Sequence, residues 1–271
     1  MMPARLAAML TRVDKNQERL NAHRPFPQNT LASLREKLAL EWTYNSNAIE
    51  GNTLSLRETK VVLEGITVGG KSVLEHLEAT NHRDAIHYVE QIVRDKEPLS
   101  EWQIKNLHSL VLKGIDHENA GRYRQENVVI SGASTTPPDF LHLDEEMLRL
   151  MEWHELAESM HPVIRAAELH TRFVEIHPFI DGNGRTGRLL LNFELMKAGY
   201  PPAIIRKEDR LHYYDALDKA CASNDYSDIT QLVTDAIDRS QTTYLSLFEH
   251  ASPKKTQPTP TKPGSTPDFA P

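Results

Sequence analysis

Twelve residues constrain this chain more than any others. They are His177-Pro178-Phe179-Ile180-Asp181-Gly182-Asn183-Gly184-Arg185-Thr186-Gly187-Arg188, and the apolar, helix-forming stretch Leu189-Leu190-Leu191-Asn192-Phe193-Glu194-Leu195-Met196 follows at once. A helix beginning near Arg185 thus starts from a glycine-flanked polar turn. Gly182 and Gly184 let successive N–H groups converge on one anion, and the helix adds its unpaired N-terminal N–H groups and positive dipole end. A phosphate suits that cradle. Asp181 beside it would repel phosphate unless a hard cation such as Mg²⁺ lies between them. Arg185 and Arg188, three apart, share one side of the opening turns and can fork onto outer phosphate oxygens. His177 is the one group of the run able to take a proton near neutral pH.

Periodic apolar residues predict helices over Leu31 to Ile49, Leu99 to Lys113, Asp144 to Ala157, Pro162 to Ile176, Arg185 to Ala198, His212 to Ala222 and Ile229 to Phe248. The expected fold is all-α, a helical bundle with one short β-hairpin. A length of 271 residues can bury a substantial core. We expect an N-terminal helical region over 1–100, a catalytic core over 101–250 and a disordered Pro/Thr-rich tail over 251–271.

The run resembles the signature of Fic-domain proteins: His-Pro-Phe, any residue, Asp or Glu, Gly-Asn-Gly-Arg, two residues, Arg. Every fixed position is matched. Resemblance extends from about Ser46 to about His250, through Gly121-Arg122-Tyr123-Arg124, Pro137-Pro138 and Ala198-Gly199-Tyr200-Pro201-Pro202. It implies transfer of AMP from ATP to a Ser, Thr or Tyr hydroxyl of a target protein or of the chain itself, releasing pyrophosphate. It also implies His177 as base, Asp181 as Mg²⁺ ligand, Gly182, Asn183 and Gly184 as anion cradle, Arg185 and Arg188 as phosphate-binding arginines, and Arg185 as catalytic beside His177.

Upstream, Ser46-Asn47-Ala48-Ile49-Glu50-Gly51-Asn52 is similar to the family's inhibitory motif. Glu41 to Glu50 can be helical with Gly51 as its stop, and Ser46 and Glu50 then sit one turn apart on one face. If Glu50 reaches Arg188, it occupies the guanidinium a γ-phosphate needs. The resemblance is to the self-inhibited class whose inhibitory helix precedes the core. It leaves a second activity open, removal of AMP with Glu50 positioning a water. A non-enzymatic ATP-sensing binding module is the third reading.

Asn127-Val128-Val129-Ile130-Ser131-Gly132 followed by Thr135-Thr136-Pro137-Pro138 reads as the hairpin, a flap that in the family pairs with target backbone. The resemblance implies Tyr213 and Tyr214 as lining of the base pocket, with at least one of them core. Asn224 is the candidate for a further nucleotide contact, in a segment longer than the usual pattern, which leaves UTP, GTP or CDP-choline open beside ATP.

A net charge of −7 without a basic stripe argues against a nucleic-acid partner. No stretch is long and apolar enough for a membrane span, and Met1 to Leu10 does not read as a signal peptide. A single cysteine, Cys221, fits a reducing cytoplasm. His170 and His177, seven apart, have no Cys or third His to complete a zinc set. A homodimer is implied by resemblance only.

Overall fold

The computed structural model describes residues 3–249. The tail expected over 251–271 lies outside the described residues. Among the described residues ten α-helices run in the order α1 (Ala4–Ala22), α2 (Gln28–Ile49), α3 (Leu56–Leu63), α4 (Val73–Arg94), α5 (Glu101–Val111), α6 (Leu143–Leu156), α7 (Pro162–Ile176), α8 (Asn183–Lys197), α9 (Arg210–Ser223) and α10 (Ser227–Glu249). The expected all-α class holds. Among the described residues no helix is long and apolar enough to cross a membrane.

α7 and α8 pack against each other at the centre, and α8 contributes apolar residues to two cores. Leu189, Leu190 and Phe193 face one core, with Leu38 and Trp42 of α2, Ile86 and Val89 of α4, Leu107 of α5 and Met147 of α6. Leu191 and Leu195 face a second core built with Val13 of α1, Tyr213 and Ala216 of α9 and Val233 of α10. α8 is buried along most of its length, and the polar side chains it takes inside are paired, Glu194 with His154 and Arg165 and Asn192 with the backbone of Ala203. Its N-terminus is thereby fixed from all sides at the one end that carries the polar turn.

Local chemistry sets the boundaries. Pro162 sits in the first turn of α7 and His161 caps it, its Nδ1 accepting from Val163 N at 3.2 Å. α7 stops where His177 turns left-handed at φ 50°, and α8 starts behind Gly182 at φ 77°. α3 and α4 each open with a reciprocal capping box, Ser55 with Glu58 and Ser72 with Glu75.

Three helices, α1, α3 and α4, were not expected from periodicity. The expected hairpin is corrected: no strand forms among the described residues, and 127–138 is an irregular loop with a turn in which Ala133 N donates to Ile130 O at 3.2 Å. Pro137 and Pro138 have no N–H for a ladder. The carbonyls at the two ends of the loop are taken by one guanidinium instead, Arg124 Nη1 reaching Glu126 O at 2.9 Å and Nη2 reaching Pro138 O at 2.5 Å.

Candidate active site

The connection between α7 and α8 gathers the chemistry. His177 adopts a positive φ that a side chain with a Cβ seldom accepts, a conformation concentrated at functional positions. Arg124 holds it there, Nε donating to His177 O at 2.9 Å while its own backbone N–H donates to Pro178 O at 2.9 Å. His177 Nδ1 lies 3.3 Å from Val174 O. A carbonyl can only accept, so Nδ1 carries the proton and Nε2 keeps its lone pair. Burial, and Arg124 behind it, push the imidazole below its ordinary value. His177 is therefore neutral at pH 7, with an unprotonated Nε2.

The loop below it is stapled by its own side chains. Phe179 is fully buried and stacked on His108 of α5, centroids 3.6 Å apart. His108 Nδ1 accepts from Gly121 N at 2.9 Å, so Nε2 carries the hydrogen it donates to Asp181 O at 2.8 Å. Burial pushes His108 down to about 4, which keeps it neutral. Asn183 accepts from Phe179 N at 3.0 Å and donates to Phe179 O at 2.8 Å. Its side chain shapes the loop, and what it offers an anion is its backbone N–H. The N–H groups of Asn183, Gly184 and Arg185 form the unpaired first turn of α8.

Arg188 lies beneath that turn, 3 % exposed. Its Nε donates to Ser46 Oγ at 3.0 Å, Nη2 to Ser46 O at 2.8 Å and to Glu50 Oε1 at 2.7 Å, and Nη1 to Tyr213 OH at 3.4 Å. The end of α2 and the start of α8 are thus tied through one guanidinium. The same Glu50 oxygen stands over the cradle: a Cβ added to Gly184 would lie 2.3 Å from it.

Arg185 points elsewhere, Nη1 to Glu78 Oε1 and Nη2 to Asp181 Oδ2, both at 3.1 Å. Asp181 is mostly solvent-facing, 67 % exposed. Among the described residues no three His, Cys, Asp or Glu side chains gather as a metal cage. One open carboxylate beside an anion cradle nevertheless fits Mg²⁺, which characteristically takes one or two carboxylates and completes its shell with phosphates and water.

Tyr213 is buried, its hydroxyl between Arg188 and His170 Nε2 at 2.8 Å, and burial pushes it up to about 12. Tyr214 keeps an exposed face and donates to Ile49 O at 3.2 Å, at the end of α2. Asn224 caps α9 at φ 56°, with Tyr226 OH donating to its Oδ1 at 3.3 Å. Glu78, His108 and the role of Arg124 lie beyond what the sequence alone shows. The first two carry no local signal, since their partners lie 107 and 73 residues away.

Residues 98–195 match the Fic/DOC family. A protein adenylyltransferase Fic of Nematostella vectensis is 38 % identical over 218 residues, 78 % of this chain and 50 % of that protein. Its counterpart from Drosophila willistoni is 37 % identical over 220 residues, 80 % of this chain and 44 % of that protein. The chain spans about half the length of the curated relatives it matches. Among solved structures, Fic-1 (residues 134–508 of that protein) from C. elegans superposes with a TM-score of 0.83 at 30 % identity, covering 92 % of this chain and 74 % of that one. A Fic domain containing signaling protein from Bacteroides thetaiotaomicron gives a TM-score of 0.81 at 30 % identity, covering 92 % of this chain and all of that one.

Proposed function

This chain belongs to the Fic/DOC family, and from that membership we propose that it transfers AMP from ATP to a hydroxyl side chain of a protein and that Glu50 restrains the reaction. The observation that carries this reading is the Glu50 carboxylate, bonded to Arg188 at 2.7 Å and standing over Gly184 at the mouth of the anion cradle. A carboxylate there competes with a triphosphate for the same donors and repels it.

The chemistry follows from the residues. The first-turn N–H groups of α8 and Arg185 bind the inner phosphates, and Arg188 binds the outer one once Glu50 rotates away. Nε2 of His177 takes the hydroxyl proton as that oxygen attacks the α-phosphorus. The new P–O bond forms as the bond to the bridging oxygen breaks, and pyrophosphate leaves with the electron pair. Asp181, with the nucleotide phosphates, would hold Mg²⁺, which supplies neutralisation of phosphate charge when bound. Most of the acceleration comes from placement and charge, the base adding about a hundredfold or more.

The target docks along 127–138, where Val129 is 88 % exposed and Arg124 ties the loop to His177. Within this stretch Ala133 N donates to Ile130 O and Ser134 N to Asp218 Oδ1, which leaves the N–H groups of 127–130 to pair with an incoming strand. A reducing cytoplasm suits a chain whose one cysteine has no partner.

A second reading is favoured by the same carboxylate. Glu50 is one-third exposed beside the cradle and can accept a proton from water, which would allow removal of AMP from a modified protein. Loss of AMP release in Glu50→Gly supports that reading, and unchanged release rejects it. The transfer reading is tested by AMP incorporation from ATP and Mg²⁺ into Glu50→Gly, which should exceed wild type several-fold or more.

A further inference from the structure

Arg185 is held from two sides by carboxylates of unequal exposure. Its side chain is 4 % exposed, that of Glu78 16 % and that of Asp181 67 %. Asp181 grips from the solvent side and is free to exchange Arg185 for a cation, leaving Nη2 of Arg185 for phosphate oxygens. Glu78 grips from inside, and nothing in the proposed reaction requires that contact to break.

Glu78 is itself braced. Its second oxygen accepts from Asn52 Nδ2 at 2.8 Å, and its backbone carbonyl accepts from Asn47 Nδ2 at 3.2 Å. Asn52 is fixed in turn, its Nδ2 also reaching Glu75 O at 3.1 Å and its Oδ1 accepting from Leu54 N at 3.0 Å. Asn52 lies two residues beyond Glu50, in the segment that carries the inhibitory carboxylate.

We propose that Glu78 is a positioning residue for Arg185, braced by Asn52, so that the segment bearing the Glu50 brake is also part of the framework that makes the site competent. The inference rests on the transfer reading above. It separates two ways of relieving inhibition. Undocking residues 47–53 from α4 would free Arg188 and release Arg185 together. Rotating the Glu50 side chain alone frees Arg188 and leaves Arg185 braced. The second is the productive route.

Charge alone predicts the opposite effect of Glu78. It adds a negative charge near the phosphate site, so Glu78→Gln should on that ground tighten ATP binding. Positioning predicts a split: kcat falls by about tenfold in the Glu50→Gly background, as expected for a displaced phosphate ligand, while KM for ATP does not rise. Asn52→Ala in the same background lowers kcat in the same direction. The loss from Glu78→Gln should shrink to about twofold or less when Arg185→Lys is already present, because residues acting through one another are not additive.

Equal or higher kcat in Glu50→Gly/Glu78→Gln, or the same tenfold loss with and without Arg185→Lys, overturns the inference. If Glu50→Gly forms no AMP adduct at all, the transfer reading fails, and spectra of ¹⁵N-arginine-labelled protein decide this point separately. A guanidinium braced by Glu78 rotates slowly and gives distinct Nη signals for Arg185, identified by their loss in Arg185→Lys. They should merge in Glu78→Gln and in Asn52→Ala. Unchanged Arg185 signals in Asn52→Ala overturn the bracing.

Discussion

Glu50 Oε1 lies 2.7 Å from Nη2 of Arg188, and the arginine is buried while the glutamate is one-third exposed. The cation is therefore fixed and the anion is the movable member of the pair. Arg188 is also bonded to Ser46 and Tyr213, so Glu50 is not its sole anchor.

That asymmetry predicts a thermal signature. Glu50→Gly leaves a buried guanidinium without its anion, at a cost on the order of 2 kcal/mol, less than a fully unpaired charge because Ser46 and Tyr213 still bond it. The melting temperature should fall by several degrees. ATP without added metal should then raise it more in the variant than in wild type, since the triphosphate fills the vacated place. An equal or smaller ATP shift in the variant would contradict the idea that phosphate and Glu50 share a site.

Arg124 bonds the carbonyls of Glu126, Pro138 and His177 from a buried position. Arg124→Ala should loosen 126–139 and His177 together, seen as faster amide hydrogen exchange over that segment and at least a tenfold loss of transfer in the Glu50→Gly background. Arg124→Lys should not rescue, because one ammonium cannot reproduce the fork. Unchanged exchange in Arg124→Ala would show that the loop is held by something else.

The pH dependence of transfer has a defined sign. His177 is held below its ordinary value by burial first and Arg124 second, and its basic form predominates above its pKa. In Glu50→Gly the rate should rise from acid pH and level off below about 6.5. A limb still rising through pH 7 would assign the proton transfer to another group.

Stability carries a second pH signal. His108 stays neutral in the fold, with its value pushed down to about 4 by burial, whereas an unfolded imidazole protonates near pH 6.5. Its contribution is therefore complete above pH 6.5 and lost as pH falls through 4, on the order of 3 kcal/mol in all. His108→Asn keeps an acceptor for Gly121 N and does not titrate, so its stability should fall less steeply between pH 7 and pH 4. Parallel slopes would remove His108 from the acid response.

Local patterns made the site's centre readable. Gly182, Gly184, Asp181 and the arginines lie within eight residues, and their spacing alone implies a turn feeding a helix N-terminus. α2, α7 and α8 were readable because their apolar residues recur at helical spacing. α4 does not stand out by periodicity although Ser72 and Glu75 mark its start, since its apolar residues are interrupted by Glu, Asn, His and Arg. Those same polar residues explain why: His82 and Asn81 are buried against neighbouring elements, and Glu78 serves Arg185. The flap misread as a hairpin shows the reverse case, where β-branched Val128, Val129 and Ile130 suggest a strand but Arg124 takes the carbonyls at both ends of the loop. Contacts made across 73 or more residues leave no trace in local spacing.

The most direct measurement is intact mass after incubation of wild type, Glu50→Gly and Glu50→Gly/His177→Ala with ATP and Mg²⁺. A gain of one AMP on Glu50→Gly, with little on wild type and none on the double variant, is the expected result, since it requires the nucleotide, the brake and the base together. AMP on the double variant, or its absence from Glu50→Gly, would contradict the assignment of Glu50 as restraint and His177 as base.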